Sequence, residues 1–159
     1  MRWNSPEAAR RFVDEYADRI LRLCVTYSLS REDAQDICQE IFLKLLEQKK
    51  EFTDLEYEKA YILKMAINAC KNLLKSAGHR RVVPMTEAEC LPAPEGESGE
   101  LLELIRALPE HYGATVYLFY YEGYSLEEIA KLCSCTPAAA RKRLSRSRKM
   151  LAEKLGVES

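Results

Sequence analysis

The chain has 159 residues, 47% apolar and 31% charged, with a net charge of −1 at neutral pH. That size and balance fit a soluble globular protein of one ordinary domain or two small ones. No apolar stretch is long enough to span a bilayer, and the opening MRWNSPEAARRF lacks a signal-peptide core, so the expectation is a cytoplasmic protein without stable membrane insertion.

The net charge hides a segregation. Residues 84–100 hold five glutamates and no lysine or arginine, whereas residues 131–154 hold eight basic residues and one acidic. A basic block of that kind points toward phosphates, and an acidic linker is repelled by them.

Helical periodicity dominates throughout, which predicts an all-α protein: two small helical domains joined by a flexible acidic linker. Ser5-Pro6 is a start signal for a helix reaching about Thr26, and Ser30 in SLSRED caps the next. In that second helix Ala34, Ile37, Cys38, Ile41, Phe42 and Leu45 make one buried face. Asp36, Gln39, Glu40, Leu43 and Glu47 fall on the opposite side, a leucine set among acids.

The polar stretch EQKKEFTDLEYEKA reads as a loop carrying Phe52, Leu55 and Tyr57, followed by a helix from Glu58 to about Ala77. Leu63, Ile67, Cys70 and Leu74 face one way along it. Lys64, Asn68, Lys71, Asn72 and Lys75 form a stripe without an acidic residue, and His79-Arg80-Arg81 follows. VPMTEAECLPAPEGESGE is the linker, dividing domains at 1–83 and 101–159 around residues 84–100.

Beyond it, helices are expected at about 101–107, 109–121, 126–133 and 137–154. Ser125-Leu126-Glu127-Glu128 forms a capping box, and Thr136-Pro137 restarts a helix after a three-residue break. The pair is a helix-turn-helix. On a helical wheel Ala140, Leu144, Ser147 and Leu151 cluster inward. Ala138, Lys142, Ser145 and Lys149 lie opposite, with Arg141, Arg143, Arg146 and Arg148 on the flanks. The amino-terminal half of such a helix reads base edges while peripheral arginines hold phosphates.

Cys133 and Cys135 do not announce a metal. Zinc needs four ligands, and neither His79 nor His111 is close in sequence, so the two cysteines read as scaffold and no cofactor or metal is expected. The other cysteines in helical patterns behave as small hydrophobes.

Read together, these segments resemble the bacterial sigma factors of the extracytoplasmic function (ECF) group. DAQDICQEIFLKLL (33–46) is similar to the family's second conserved region, AYILKMAINACKNLLK (60–75) to its promoter-melting and minus-10 helix, and residues 108–151 to its fourth region. The resemblance implies a promoter-specificity subunit without catalysis of its own. It implies that Asp36, Gln39, Glu40 and Leu43 dock on the clamp helices of core RNA polymerase. Lys64, Asn68, Lys71, Asn72, Lys75, Arg80 and Arg81 would then meet the minus-10 element. Thr136, Ala138, Arg141, Lys142, Ser145, Arg146 and Lys149 would meet the minus-35 element. In similar proteins the loop at about 50–57 captures an unstacked base. Tyr57 and Phe52 are the aromatic candidates there, Phe52 being the better fit to the core.

The implied partners are bacterial core RNA polymerase, promoter DNA and an anti-sigma factor. Three departures stand out: Ser134 replaces the usual turn glycine, Ala139-Ala140 the usual Thr-Val pair, and Tyr61 the common tryptophan. The alternative is a stand-alone helix-turn-helix regulator, which binds duplex DNA unaided, usually as a dimer. An enzyme finds little support, with no glycine-rich phosphate loop and two histidines far apart in sequence.

Overall fold

A computed structural model describes residues 7–48, 51–76 and 99–156, and its regular elements are helices. The chain divides into two compact units, one formed mainly by the helices from Ala8 to Lys75 and the other by those from Gly99 to Leu155.

In the first unit, α1 (Ala8–Phe12) runs through a π-helical segment (Val13–Ala17) into α2 (Asp18–Thr26). This is the predicted first helix with a wide turn inside it; its predicted start at Ser5-Pro6 lies outside the described residues. The helix ends where Ser28 takes a left-handed backbone, φ 56°. The Leu29 amide then donates to the Cys24 carbonyl at 3.1 Å and the Ser28 amide to that of Val25 at 3.0 Å, satisfying carbonyls the helix end would orphan.

Ser30 caps α3 (Arg31–Gln48) as expected, its Oγ accepting the Asp33 amide at 3.1 Å. The buried face of α3 is Ala34, Ile37, Ile41 and Leu45. Cys38 and Phe42 sit at its margins, the Phe42 ring 5.1 Å from that of Phe12.

The expected loop over 47–60 is a correction. Helix α3 continues to Gln48, and α4 (Leu55–Lys75) opens before Glu58. Asp54, in an extended conformation, caps it by accepting the Glu56 amide at 2.9 Å. The cause of the misreading is Glu58, whose charge breaks the apolar period although the residue is fully buried in the first turn. Ile62, Leu63, Ala66, Ile67 and Cys70 of α4 pack inward, and Phe52 is buried as expected.

In the second unit, α5 (Gly99–Arg106) starts inside the stretch read as linker, and α6 (Glu110–Val116) passes into a second π-helical segment (Tyr117–Tyr121). Then come α7 (Leu126–Cys133) and α8 (Pro137–Leu155), the helix-turn-helix pair. Ile105, Leu108, Val116 and Leu144 form the core, with Tyr112, Phe119, Tyr121, Leu126, Met150 and Leu151 against it. Gly113 lets α6 approach α5, since a Cβ there would meet the Ile105 carbonyl oxygen at 3.2 Å.

Candidate promoter and polymerase surfaces

The capping chemistry read from the sequence aims α8. Ser125 accepts the Glu128 amide at 3.1 Å while Glu128 accepts the Ser125 amide at 2.9 Å, so the box closes in both directions. Between the helices Ser134 adopts φ 56°, the left-handed conformation for which glycine is usual. The Cys135 amide reaches back to the Ala130 carbonyl at 2.9 Å. Thr136 Oγ1 accepts the Ala139 amide at 3.0 Å and Pro137 opens α8.

The helical wheel for α8 holds. Ala140, Leu144 and Ser147 are buried, and Thr136, Ala138, Arg141, Lys142, Ser145, Arg146 and Lys149 are exposed. Ser147 is buried without harm because its Oγ lies 2.6 Å from the Arg143 carbonyl oxygen. From Ala138 to Lys149 the outward side therefore presents small and cationic residues, a surface suited to entering a groove lined by phosphates; the exposed Glu153 lies beyond it, in the last turn of the helix.

Two tyrosines missed in the sequence engage this helix. Arg146 donates from Nη1 to the Tyr112 hydroxyl at 3.3 Å, and Arg148 from Nε to the Tyr120 hydroxyl at 2.8 Å. HYGATVYLFYYEGY offers tyrosines at many spacings, so the wheel of α8 alone does not reveal which of them reach it.

In the first unit, α3 exposes Asp36, Gln39, Glu40 and Leu43 on one stripe, Leu43 at 56%. Glu40 also pairs with Lys44 at 3.0 Å, a solvent-exposed contact of little energetic weight. A half-exposed leucine beside Asp36, Gln39 and Glu40 puts one apolar side chain within a polar rim, the general composition of protein–protein interfaces.

Along α4, Asn68, Asn72 and Lys75 are exposed while Lys64 and Lys71 are partly covered, all five following the helical period. Arg80 and Arg81 lie outside the described residues. At the start of α4 three aromatic rings gather: Phe52 lies 5.7 Å from Tyr57 and 5.3 Å from Tyr61. Phe52 is buried, Tyr57 is 54% exposed, and the Tyr61 hydroxyl donates to Gln48 Oε1 at 2.9 Å.

In the first turn of α4, Glu58 accepts hydrogen bonds from Arg11 and from the Tyr16 hydroxyl. Burial, and then the bond to Glu58, push the Tyr16 phenol well above its usual pKa. Arg11 comes from α1 and Tyr16 from the π-helical segment, so both partners of the buried carboxylate belong to the first helical stretch.

Cys24 and Cys70 meet in the core with sulfurs 3.9 Å apart, as free thiols. The hydrogen bond to Cys70, with burial, raises the Cys24 thiol well above its ordinary range; burial pushes Cys38 up to about 12. Cys133 is buried and Cys135 half-buried at the turn. Among the described residues no group of three or more His, Cys, Asp or Glu side chains is arranged to hold a metal ion.

Family models match both units: sigma-70 region 2 over residues 12–80 and sigma-70, region 4 over residues 98–151. The chain belongs to the sigma-70 family. Within it the similarity is to ECF members. The ECF RNA polymerase sigma-E factor of Haemophilus influenzae is 29% identical, covering 90% of this chain and 85% of that protein. The RNA polymerase sigma-H factor of Pseudomonas aeruginosa is also 29% identical, over 86% and 80%.

The same fold occurs in the sigma factor RpoE of Bartonella quintana, solved with the anti-sigma factor NepR. That match has a TM-score of 0.72 and 19% identity over 96% of this chain and 99% of that one. CnrH, solved with the cytosolic domain of CnrY, matches at a TM-score of 0.65 and 16% identity over 98% and 92%. In sigma-70 terms, the α3 and α4 stripes fall within region 2 and the helix-turn-helix within region 4.

Proposed function

We propose that the chain is the promoter-specificity subunit of a bacterial RNA polymerase, binding the core enzyme, recognising minus-35 and minus-10 elements and helping to open the DNA. The observation that carries this is the pairing, in one chain, of sigma-70 regions 2 and 4. A stand-alone regulator needs the second and leaves the first without a role.

In this reading residues 1–83 bind polymerase and the minus-10 element, residues 84–100 connect, and residues 101–159 bind the minus-35 element. Asp36, Gln39, Glu40 and Leu43 dock on the polymerase. Lys64, Asn68, Lys71, Asn72, Lys75, Arg80 and Arg81 follow the minus-10 DNA, with Tyr57 as the exposed ring on which an unstacked base rests. Thr136, Ala138, Arg141, Lys142, Ser145, Arg146 and Lys149 face the minus-35 duplex, where a bidentate arginine–guanine pair discriminates by roughly 1–3 kcal/mol.

The chain performs no catalysis itself and works in the bacterial cytoplasm, where its polymerase is. No described helix is long and apolar enough to cross a membrane. The like fold of the sigma factor RpoE of Bartonella quintana, solved with the anti-sigma factor NepR, supports an anti-sigma factor as a further partner.

The test is co-elution with sigma-free core polymerase on gel filtration. The wild-type chain is expected to co-elute, and Leu43→Glu or Asp36→Arg to elute separately while retaining helical circular dichroism. Equal co-elution of both variants would remove α3 from the interface; no co-elution of folded wild-type chain would contradict the function itself.

A further inference from the structure

Of the arginines on the flanks of α8, Arg148 stands outside the minus-35 set assigned above. Arg148 is exposed, yet its guanidinium is held in place. Nε donates to the Tyr120 hydroxyl at 2.8 Å, and the central carbon lies 5.7 Å from the ring centroids of both Phe119 and Tyr120. The two rings meet edge to face, 5.0 Å apart at 78°. Both belong to the π-helical segment Tyr117–Tyr121, whose wide turn carries an extra residue and lets consecutive side chains reach the same guanidinium.

An exposed arginine is ordinarily free to sample many rotamers, so a hydroxyl and two ring faces spent on holding one call for a use. With Nε engaged, Nη1 and Nη2 have no partner among the described residues. A guanidinium fixed at its inner nitrogen presents those two as a fork, the geometry that fits two oxygens of one phosphate. Arg148 also follows Arg141 by seven residues, two turns and about 10 Å along the same flank of α8. Cations so spaced beside the outward face follow a sugar–phosphate strand rather than base edges.

We propose that Arg148 is a phosphate contact for duplex DNA beside the minus-35 element, with Tyr120 and Phe119 as its positioning residues. This rests on the promoter-specificity reading above. Because a phosphate carries no sequence information, the contact adds affinity equally to every sequence that region 4 meets.

The experiment uses holoenzyme assembled from the full chain and core polymerase. Promoter complexes are measured across a salt series on a promoter it uses and on the same DNA with the minus-35 element scrambled. Arg148→Gln is expected to weaken both complexes about tenfold and to make the log–log salt slope shallower by about 0.9, one phosphate's worth. Tyr120→Phe keeps ring and charge but loses the aim, so about threefold weaker binding with the slope unchanged is expected. Arg148→Lys, a second variant, should likewise keep the slope and lose affinity.

A folded Arg148→Gln holoenzyme with an unchanged slope overturns the proposal. So does a loss confined to the intact minus-35 element, which would make Arg148 a base reader, or a loss of core binding, which would make it a protein contact. If wild-type holoenzyme forms no promoter complex at all, the function reading fails and this inference falls with it.

Discussion

The two units use the same residue types in opposite ways. At the head of α4, Tyr57 is 54% exposed and the cations Lys64, Lys71 and Lys75 follow it along the helix. On α8 the aromatic rings lie beneath, and the guanidinium of Arg148 is the part presented. An unstacked base needs an exposed aromatic ring to stack on, whereas a duplex backbone needs a charge aimed at a fixed distance. The contrast fits a first unit addressing melted strand and a second addressing duplex.

The comparison breaks most severely at Glu58. Its carboxylate is fully buried and bonded to Arg11 and Tyr16. Glu58→Ala leaves Arg11 partly buried without that partner and is expected to cost about 3 kcal/mol. Hydrogen exchange should quicken by about a hundredfold in α1 and α4 and stay unchanged in α7 and α8.

A smaller effect separates melting from binding. Tyr57→Ala should slow open-complex formation by about tenfold or more, the worth of one stacked base, read by permanganate reactivity of unpaired thymines. Closed-complex affinity should not change. Equal loss in both would show that Tyr57 serves the fold and not the melted strand.

The mirror variant is Lys142→Ala, which removes an exposed cation from the centre of the outward face of α8. Closed-complex affinity should fall about fivefold to tenfold, by footprinting, with the opening rate from the bound state kept. The smallest change expected is a gain: Ser134→Gly relieves a left-handed serine, and the second unit should unfold up to about 1 kcal/mol later in denaturant.

Much of this was legible beforehand, for physical reasons. Capping boxes, Pro137 and the 3.6-residue period of α3 and α8 are local, so Ser30, Ser125, Thr136 and the inward faces read directly from spacing. The start of α4 did not, because a glutamate that breaks the apolar pattern is normally a surface residue, and only Arg11 and Tyr16, more than forty positions away, make Glu58 a core one. Both π-helical segments were likewise invisible, since an extra residue in one turn leaves a short apolar run looking like ordinary helix. The Arg146–Tyr112 and Arg148–Tyr120 pairs depend on how α6 and the π-helical segment after it pack on α8, which no wheel drawn for one helix contains.

The central claim is that two units, one for polymerase and melted DNA and one for duplex, make this chain a promoter-specificity subunit. The most direct measurement is transcription of a fragmented bacterial genome by sigma-free core polymerase, with and without the chain, mapping RNA 5′ ends. The account predicts new start sites that share a two-part upstream motif. Folded chain that neither binds core nor creates new starts, yet protects a palindromic site on duplex DNA alone, would contradict it.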